Sequence, residues 1–147
     1  MEERPRSVGR YVSILYRQAQ CYITHELAPY KIGRGQYIFL HVLYGKDGIS
    51  QEELAHILKI DKGTTARAVE KLEKNGYIRR EKNAEDKRAY DVYLTDKAKT
   101  FKPIFYKKLR SWTERVLKDF SSEEKDFIFS FLEKMVENAV CEVHNED

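Results

Sequence analysis

The chain has 147 residues, of which 41% are hydrophobic and 35% are charged. This length is typical of one domain, and the hydrophobic share is enough to form a core, which argues against a wholly disordered chain. No apolar run approaches the roughly 18 to 20 residues that a membrane-crossing helix needs, so we predict that the protein does not enter a membrane. The N-terminus lacks the apolar stretch of an export signal, and we expect a cytoplasmic protein.

The net charge of +3 conceals an uneven distribution. Residues 119–147 hold two basic and nine acidic side chains, which leaves 25 basic against 15 acidic side chains in residues 1–118. A surplus of ten positive charges in that part favours a polyanionic partner, although a solvated surface of mixed charge has a similar composition.

The cysteines and histidines form no metal-binding pattern. Cys21 and Cys141 lie far apart in sequence, and we predict that each is a buried thiol. The four histidines show neither an HExxH motif nor zinc-finger spacing. The sequence also lacks a GxSxG motif and a phosphate-binding glycine loop. We therefore predict no metal, no cofactor and no enzymatic activity.

Helical periodicity dominates the first half of the chain. Apolar residues at spacings of three and four in residues 8–27 predict an amphipathic first helix that ends near Pro29. The apolar run over residues 37–44 predicts a second, buried helix, with a strand as the alternative, and GKDG closes it as a turn. Ser50 and Glu53 form a capping box at the start of a third helix.

A fourth helix and a hairpin follow. Asp61 is a good N-cap for a helix that runs to Lys74, and Asn75-Gly76 supplies left-handed residues at its end. From Tyr77 the apolar period changes to two, which predicts a β-hairpin with its polar tip at residues 83–88. A short helix, a tight turn, a second helix and a two-stranded ribbon make a winged helix-turn-helix unit.

Two long helices are predicted at the C-terminal end. Thr95 caps the first, and Pro103 is expected either to kink it or to mark its early turn. Ser121 and Glu124 form a second capping box before the last helix, which carries a broad apolar stripe.

The helix after Asp61 carries groups that suit DNA on its predicted outer face. We expect Ala66, Val69 and Leu72 to pack inward, because they recur every three residues. Hydroxyls near the start of a helix and cations further along can meet base edges and phosphates in the major groove. An exposed face bridged by ion pairs is the alternative interpretation. The predicted DNA-binding residues of this helix are Lys62, Thr64, Thr65, Arg67 and Lys71.

The hairpin tip offers a second contact with DNA. An arginine at the end of a protruding ribbon, here Arg88, can enter a narrow minor groove, where the potential is most negative. We predict that Asp86 holds the Arg88 guanidinium across the turn, and that Lys87 of the same tip is also a DNA-binding residue. An exposed charged loop with no partner is the alternative.

The segment from Gly48 to Thr95 contains three motifs: ISQEELAHIL, IDKGTTARAVEKLEKNGYIRR, and Asp86-x-Arg88 followed by Leu94-Thr95. With these motifs the segment resembles the MarR family of bacterial and archaeal transcription regulators. Gln36-Tyr37 and the long flanking helices extend the resemblance over nearly the whole chain. The resemblance implies a mainly α fold with a small β-hairpin wing, in which N- and C-terminal dimerisation helices flank the winged helix-turn-helix domain.

The resemblance also implies an obligate homodimer that reads a pseudo-palindromic operator in double-stranded DNA. We predict one MarR-like domain over residues 1–147, with the winged region at 35–95 and dimerisation helices at 1–34 and 96–147. The apolar pattern agrees, since these flanking segments carry more apolar surface than a winged domain alone could cover.

A small aromatic or phenolic anion is the effector that the resemblance implies. Arg17 can pair with a carboxylate, and tyrosines can stack on a ring, although packing in the core or dimer interface is the alternative for each. Some relatives sense hydroperoxides through a cysteine near the start of the first helix, but Cys21 lies more than two turns further on, which argues against this mechanism. The predicted effector residues are Tyr11, Arg17, Tyr30, Tyr37 and His41.

These observations predict a sequence-specific regulator of transcription, most simply a repressor with ligand-modulated affinity. The alternative is a winged-helix module that contacts another protein and does not bind DNA. Cations on both the fourth helix and the wing favour DNA, because a protein-binding module has no need of them at both places.

Overall fold

The prediction of a mainly helical fold is confirmed. The computed structural model describes the backbone of residues 6–143 and the side chains of residues 6–139. None of the helices in this range is both long and apolar enough to cross a membrane. The helices of the described residues are α1 (Val8–Leu27), α2 (Tyr37–Gly45), α3 (Gln51–Leu58), α4 (Lys62–Lys74), α5 (Asp96–Val116) and α6 (Ser122–Val143), and the strands are β1 (Ile49–Ser50), β2 (Ile78–Lys82) and β3 (Tyr90–Leu94).

The two capping boxes form to different extents. At α6 the box is complete, because the Ser121 N–H donates to the Glu124 carboxylate at 2.8 Å and the Glu124 N–H donates to the Ser121 hydroxyl at 3.2 Å. At α3 the Ser50 hydroxyl accepts from the Glu53 N–H at 3.0 Å, whereas the Glu53 carboxylate pairs with Lys46. The prediction of a reciprocal bond between Ser50 and Glu53 is therefore wrong, although Ser50 still caps the helix.

The wing is part of a small antiparallel sheet. Strands β2 and β3 form the predicted hairpin, with Ile78 opposite Leu94. In the described part of the chain, β1 adds a third strand on the other side of β3, with Ile49 opposite Val92. The sequence pattern missed β1 because a two-residue strand shows no alternation.

The inward face of α4 differs from the prediction by a small rotation. The buried residues of α4 are Thr65, Ala68, Val69 and Leu72, which recur at spacings of three and four. Val69 and Leu72 are confirmed as core residues, whereas Ala66 is only half-buried. A stripe at mixed spacings follows the 3.6-residue turn of a helix more closely than the strict period of three on which the prediction relied.

The chain separates into two compact units, Met1–Trp112 and Thr113–Asp147. The first contains the sheet and the buried cluster around Phe39, Leu54 and Val69. The second contains α6, whose apolar side chains, among them Phe127, Phe131 and Val136, are exposed. Pro103 lies inside α5 and does not mark its start.

The prediction of a buried thiol at Cys21 is wrong. Cys21 is exposed, because α1 buries Gln20, Ile23 and Leu27 and position 21 lies off that face. The side chain of Cys141 lies outside the described residues, so the prediction for it stays a prediction.

Candidate nucleic-acid interface

The start of α4 is built around the N-cap Asp61. One carboxylate oxygen, Oδ1, accepts the Thr64 backbone N–H at 2.8 Å, and the other, Oδ2, accepts the Thr64 hydroxyl at 2.7 Å. Arg67 Nη2 in turn donates to Thr64 Oγ1 at 3.1 Å. The two bonds from Thr64, helped by the charge of Arg67, hold the pKa of Asp61 below its usual value. The carboxylate is therefore ionised at neutral pH, and the side chains of Asp61, Thr64 and Arg67 form one chain of hydrogen bonds.

Four of the five side chains predicted to bind DNA from α4 are exposed. These are Lys62, Thr64, Arg67 and Lys71. Thr65 is the exception, since its exposed fraction is 0% and its hydroxyl finds no hydrogen-bond partner among the described residues. Its side chain belongs to the inward face of α4 and cannot reach a base edge from there. The prediction that Thr65 contacts DNA is therefore wrong, because the side chain is buried.

The wing tip is ordered by two short polar side chains. The Asn83 amide oxygen accepts the backbone N–H groups of Glu85 and Asp86 at 2.9 and 3.0 Å, and its amide nitrogen donates to the Asp91 carboxylate. Asp86 Oδ1 accepts the backbone N–H of Arg88 at 3.0 Å. Asp86 therefore shapes the turn through the backbone, which corrects the predicted bond to the Arg88 guanidinium. The Arg88 side chain is exposed.

A cluster around Arg80 ties the wing to α4. Glu73, near the end of α4, accepts the Arg80 backbone N–H at 3.3 Å and its Nε and Nη2 groups at 3.0 and 2.8 Å. The Arg80 guanidinium also lies over the ring of Tyr90 on β3, 5.3 Å from its centroid. The sequence analysis did not single out Glu73 or Arg80. Their opposite charges seven positions apart bridge a helix and a strand, so no helical spacing rule could have paired them.

Several predicted DNA-binding residues meet at one hollow of about 240 Å³ between α3, α4 and the wing. Lys62 lines it from α4, next to the buried Thr65, and Asp86 and Arg88 line it from the wing tip. Lys62 also lies 3.5 Å from the Glu52 carboxylate, an exposed pair that contributes little to stability. Helix α4 and the wing tip therefore adjoin one surface, as contact with a DNA groove through both elements requires.

The predicted effector residues lie in separate settings. The centroid of the Tyr30 ring lies 4.7 Å from that of the Phe101 ring. The Tyr37 hydroxyl accepts a hydrogen bond from the Gln20 amide at 2.9 Å, and burial raises the pKa of Tyr37. His41 is exposed beside Tyr106. The Arg17 guanidinium donates to the Ser13 hydroxyl on α1, and Tyr11 is 59% exposed. Among the contacts of the described residues, none joins two of these five side chains.

Comparison with known proteins identifies the family. Residues 32–90 match the family model described as "MarR family". The chain is 33% identical over 129 residues to YybA, an uncharacterised HTH-type transcriptional regulator from Bacillus subtilis. The matched region covers 88% of this chain and 86% of YybA. The chain belongs to the MarR family. MarR-family members are transcription regulators that bind DNA, and they are not enzymes.

Solved MarR structures resemble this one closely. The regulator from Methanosarcina mazei Go1 has a TM-score of 0.88 and 44% identity, over 90% of this chain and 96% of its own. A putative MarR-family regulator from Listeria monocytogenes has a TM-score of 0.83 and 27% identity, over 97% of each chain, and was crystallised with a 26mer DNA. These similarities confirm the winged-helix fold of the family.

Thr65 provides a test of the interface boundary. Replacing it with Val removes an unpaired buried hydroxyl and keeps the shape, so the free energy of unfolding in urea should rise by about 1 kcal/mol. Thr65→Ser, the control, keeps the hydroxyl and loses a buried methyl, so the free energy of unfolding should fall by about 1 kcal/mol. Weaker duplex binding by a stable Thr65→Val variant would show that the hydroxyl contacts DNA after all.

Proposed function

We propose that the protein is a homodimeric regulator that reads a pseudo-palindromic operator in double-stranded DNA. In this proposal α4 enters the major groove and the wing tip approaches the adjacent minor groove. The observation that carries it is the shared surface of α4 and the wing, where Lys62 and Arg88 line one hollow. Exposed cations on both elements match a phosphate backbone on two sides of a groove.

The roles of the two arginines differ in this proposal. Arg67 faces outward from α4 and has the planar donor fork that pairs bidentately with guanine. Arg88 lies on the turn that Asn83 and Asp86 hold in shape. In this proposal its guanidinium contacts the DNA phosphate backbone or enters a narrow minor groove. Arg67 would then specify sequence, and Arg88 would contribute affinity on every sequence.

Substitution of each arginine tests these roles. Arg88→Ala should weaken binding broadly and lower the salt dependence, because one phosphate-neutralising charge is lost. Arg67→Ala should relax the preference for one base in each half-site by about 1 to 3 kcal/mol. Both are measured by fluorescence anisotropy on a duplex selected with the parent chain and on a scrambled duplex, at several salt concentrations.

Arg110→Ala is the matched control, since Arg110 is an exposed arginine on α5 outside the proposed interface. It should bind both duplexes like the parent. If Arg67→Ala and Arg88→Ala also matched the parent on both duplexes, the roles given to them would be wrong. A parent chain that bound no duplex would favour the alternative of a protein-binding module.

The exposed apolar surfaces of α1 and α6 support a dimer. On α1, Val8 and Tyr11 are 62% and 59% exposed. On α6, the stacked rings of Phe127 and Phe131 are 53% and 57% exposed. Apolar rows of this extent on two helices are costly in water and typical of protein interfaces. We propose that residues 1–34 and 96–147 carry the dimer interface and residues 35–95 the DNA-reading part.

A charge on the apolar face of α6 should separate the subunits. Phe131→Glu places a carboxylate where the proposed interface excludes water, so sedimentation should change from about twice to once the chain mass of 17.4 kDa. The control Ser130→Glu adds the same charge at the neighbouring position of α6 and should leave the dimer intact. A parent chain that sediments as a monomer at micromolar concentration would contradict the proposed dimer.

We further propose that the protein represses transcription and releases DNA when a small aromatic anion binds near α1 and α2. Arg17 is exposed and can exchange its bond with Ser13 for a carboxylate. The exposed His41 lies beside the Tyr106 ring, 5.8 Å between centroids, where an aromatic group can stack.

4-Hydroxybenzoate is a suitable probe of this regulation. It should release a labelled duplex from the parent chain, and Arg17→Ala should raise the concentration needed by about tenfold, because a charge-assisted hydrogen bond is lost. Arg10→Ala is the control, since Arg10 is an exposed arginine on the same helix. Equal release from both variants would exclude Arg17 as the carboxylate partner, and no release from the parent would contradict this effector class.

A further inference from the structure

The Thr64 hydroxyl has its single proton committed within the protein. A hydroxyl carries one O–H donor and two acceptor lone pairs. Thr64 Oγ1 lies 2.7 Å from Asp61 Oδ2, and an ionised carboxylate only accepts, so the proton points at Asp61. Arg67 Nη2 donates to the same oxygen at 3.1 Å, and a guanidinium only donates. The exposed Thr64 hydroxyl can therefore present only an acceptor lone pair to a partner outside the protein.

We propose that Asp61 is a specificity-determining positioning residue, which fixes Thr64 as a hydrogen-bond acceptor toward the bases. This rests on the proposed function, in which α4 lies in the major groove. There, cytosine presents the N4 amine and adenine presents the N6 amine, whereas guanine and thymine present only acceptors. Thr64 should then favour a cytosine or adenine at one position of each half-site and disfavour guanine or thymine.

Capping of α4 does not by itself require this arrangement. An N-cap needs one oxygen to accept a backbone N–H, which Asp61 Oδ1 does, while the bond from the Thr64 hydroxyl occupies the second oxygen. Gly63 keeps the space beside the carboxylate open, because a Cβ there would lie 3.3 Å from Asp61 Oδ1 and 3.7 Å from Arg67 Nη1. The carboxylate, the hydroxyl and the guanidinium are thus held together at an exposed surface. Charged contacts at such a surface add little to the free energy of unfolding.

Asp61→Asn separates the two roles of Asp61. Asn caps helices as well as Asp, so the Thr64 N–H keeps its acceptor. The amide nitrogen replaces Oδ2 and donates to Thr64 Oγ1, which frees the hydroxyl proton to point outward. The preference at that position should therefore invert, from the amine-bearing bases to guanine or thymine, by about threefold to tenfold in relative affinity, as expected for one hydrogen bond.

The experiment selects duplexes from a library of double-stranded oligonucleotides with randomised cores, first with the parent chain and then with Asp61→Asn. The readout is the identity of the preferred base, which a loss of helix stability would not invert. Thr64→Val removes the hydroxyl and keeps the shape, so it should abolish the preference at that position. In the Thr64→Val background, adding Asp61→Asn should change nothing further, because the effect acts through the hydroxyl.

The outcomes separate this inference from the function on which it rests. A parent chain that enriches no sequence overturns both. Enrichment by the parent, with the same base preferred by Asp61→Asn at every position, overturns the role of Asp61 and leaves the proposed function standing. A change that persists in the Thr64→Val background also overturns it, since Asp61 would then act by another route.

Discussion

The burial of one face of α4 is the constraint on which the rest of the candidate interface depends. Ala68, Val69 and Leu72 pack into the core, so the opposite face has to meet solvent or a partner. That rotation about the helix axis exposes Thr64 and Arg67 and buries Thr65. Because successive residues of a helix differ by about 100° around its axis, a change of one position in the buried stripe would exchange a core residue for an exposed one.

The wing is held against α4 by polar contacts at its base, while its tip is shaped by its own turn. At the base, the Glu73 carboxylate accepts three hydrogen bonds from Arg80, and the Thr95 hydroxyl donates to the Gly76 carbonyl at 2.6 Å. At the tip, Asn83 and Asp86 satisfy backbone N–H groups. Because both the base and the tip of the wing are fixed in this way, the backbone that carries the wing arginines has few conformations. Less conformational entropy is therefore lost when a partner binds.

The local propensities were sufficient to predict most of the elements. Helices α1 to α6, the hairpin and the Asp61, Ser50 and Ser121 caps follow from apolar period and from capping residues, which act within a few positions of the chain. One element, strand β1, escaped this kind of reasoning for a physical reason. Strand β1 is too short to show a period, and it exists because its backbone groups pair with β3, some forty positions away.

The sequence by itself determined the chemical content of the candidate site: a capped helix with hydroxyls and cations, and a charged turn after it. Only the tertiary structure decided which groups face outward and which partner each takes. It buried Thr65, exposed Cys21 and joined Glu73 to Arg80. The reason is that a periodic pattern reports which residue types recur, whereas the rotation of a helix and the pairing of distant side chains are set by packing against elements remote in sequence.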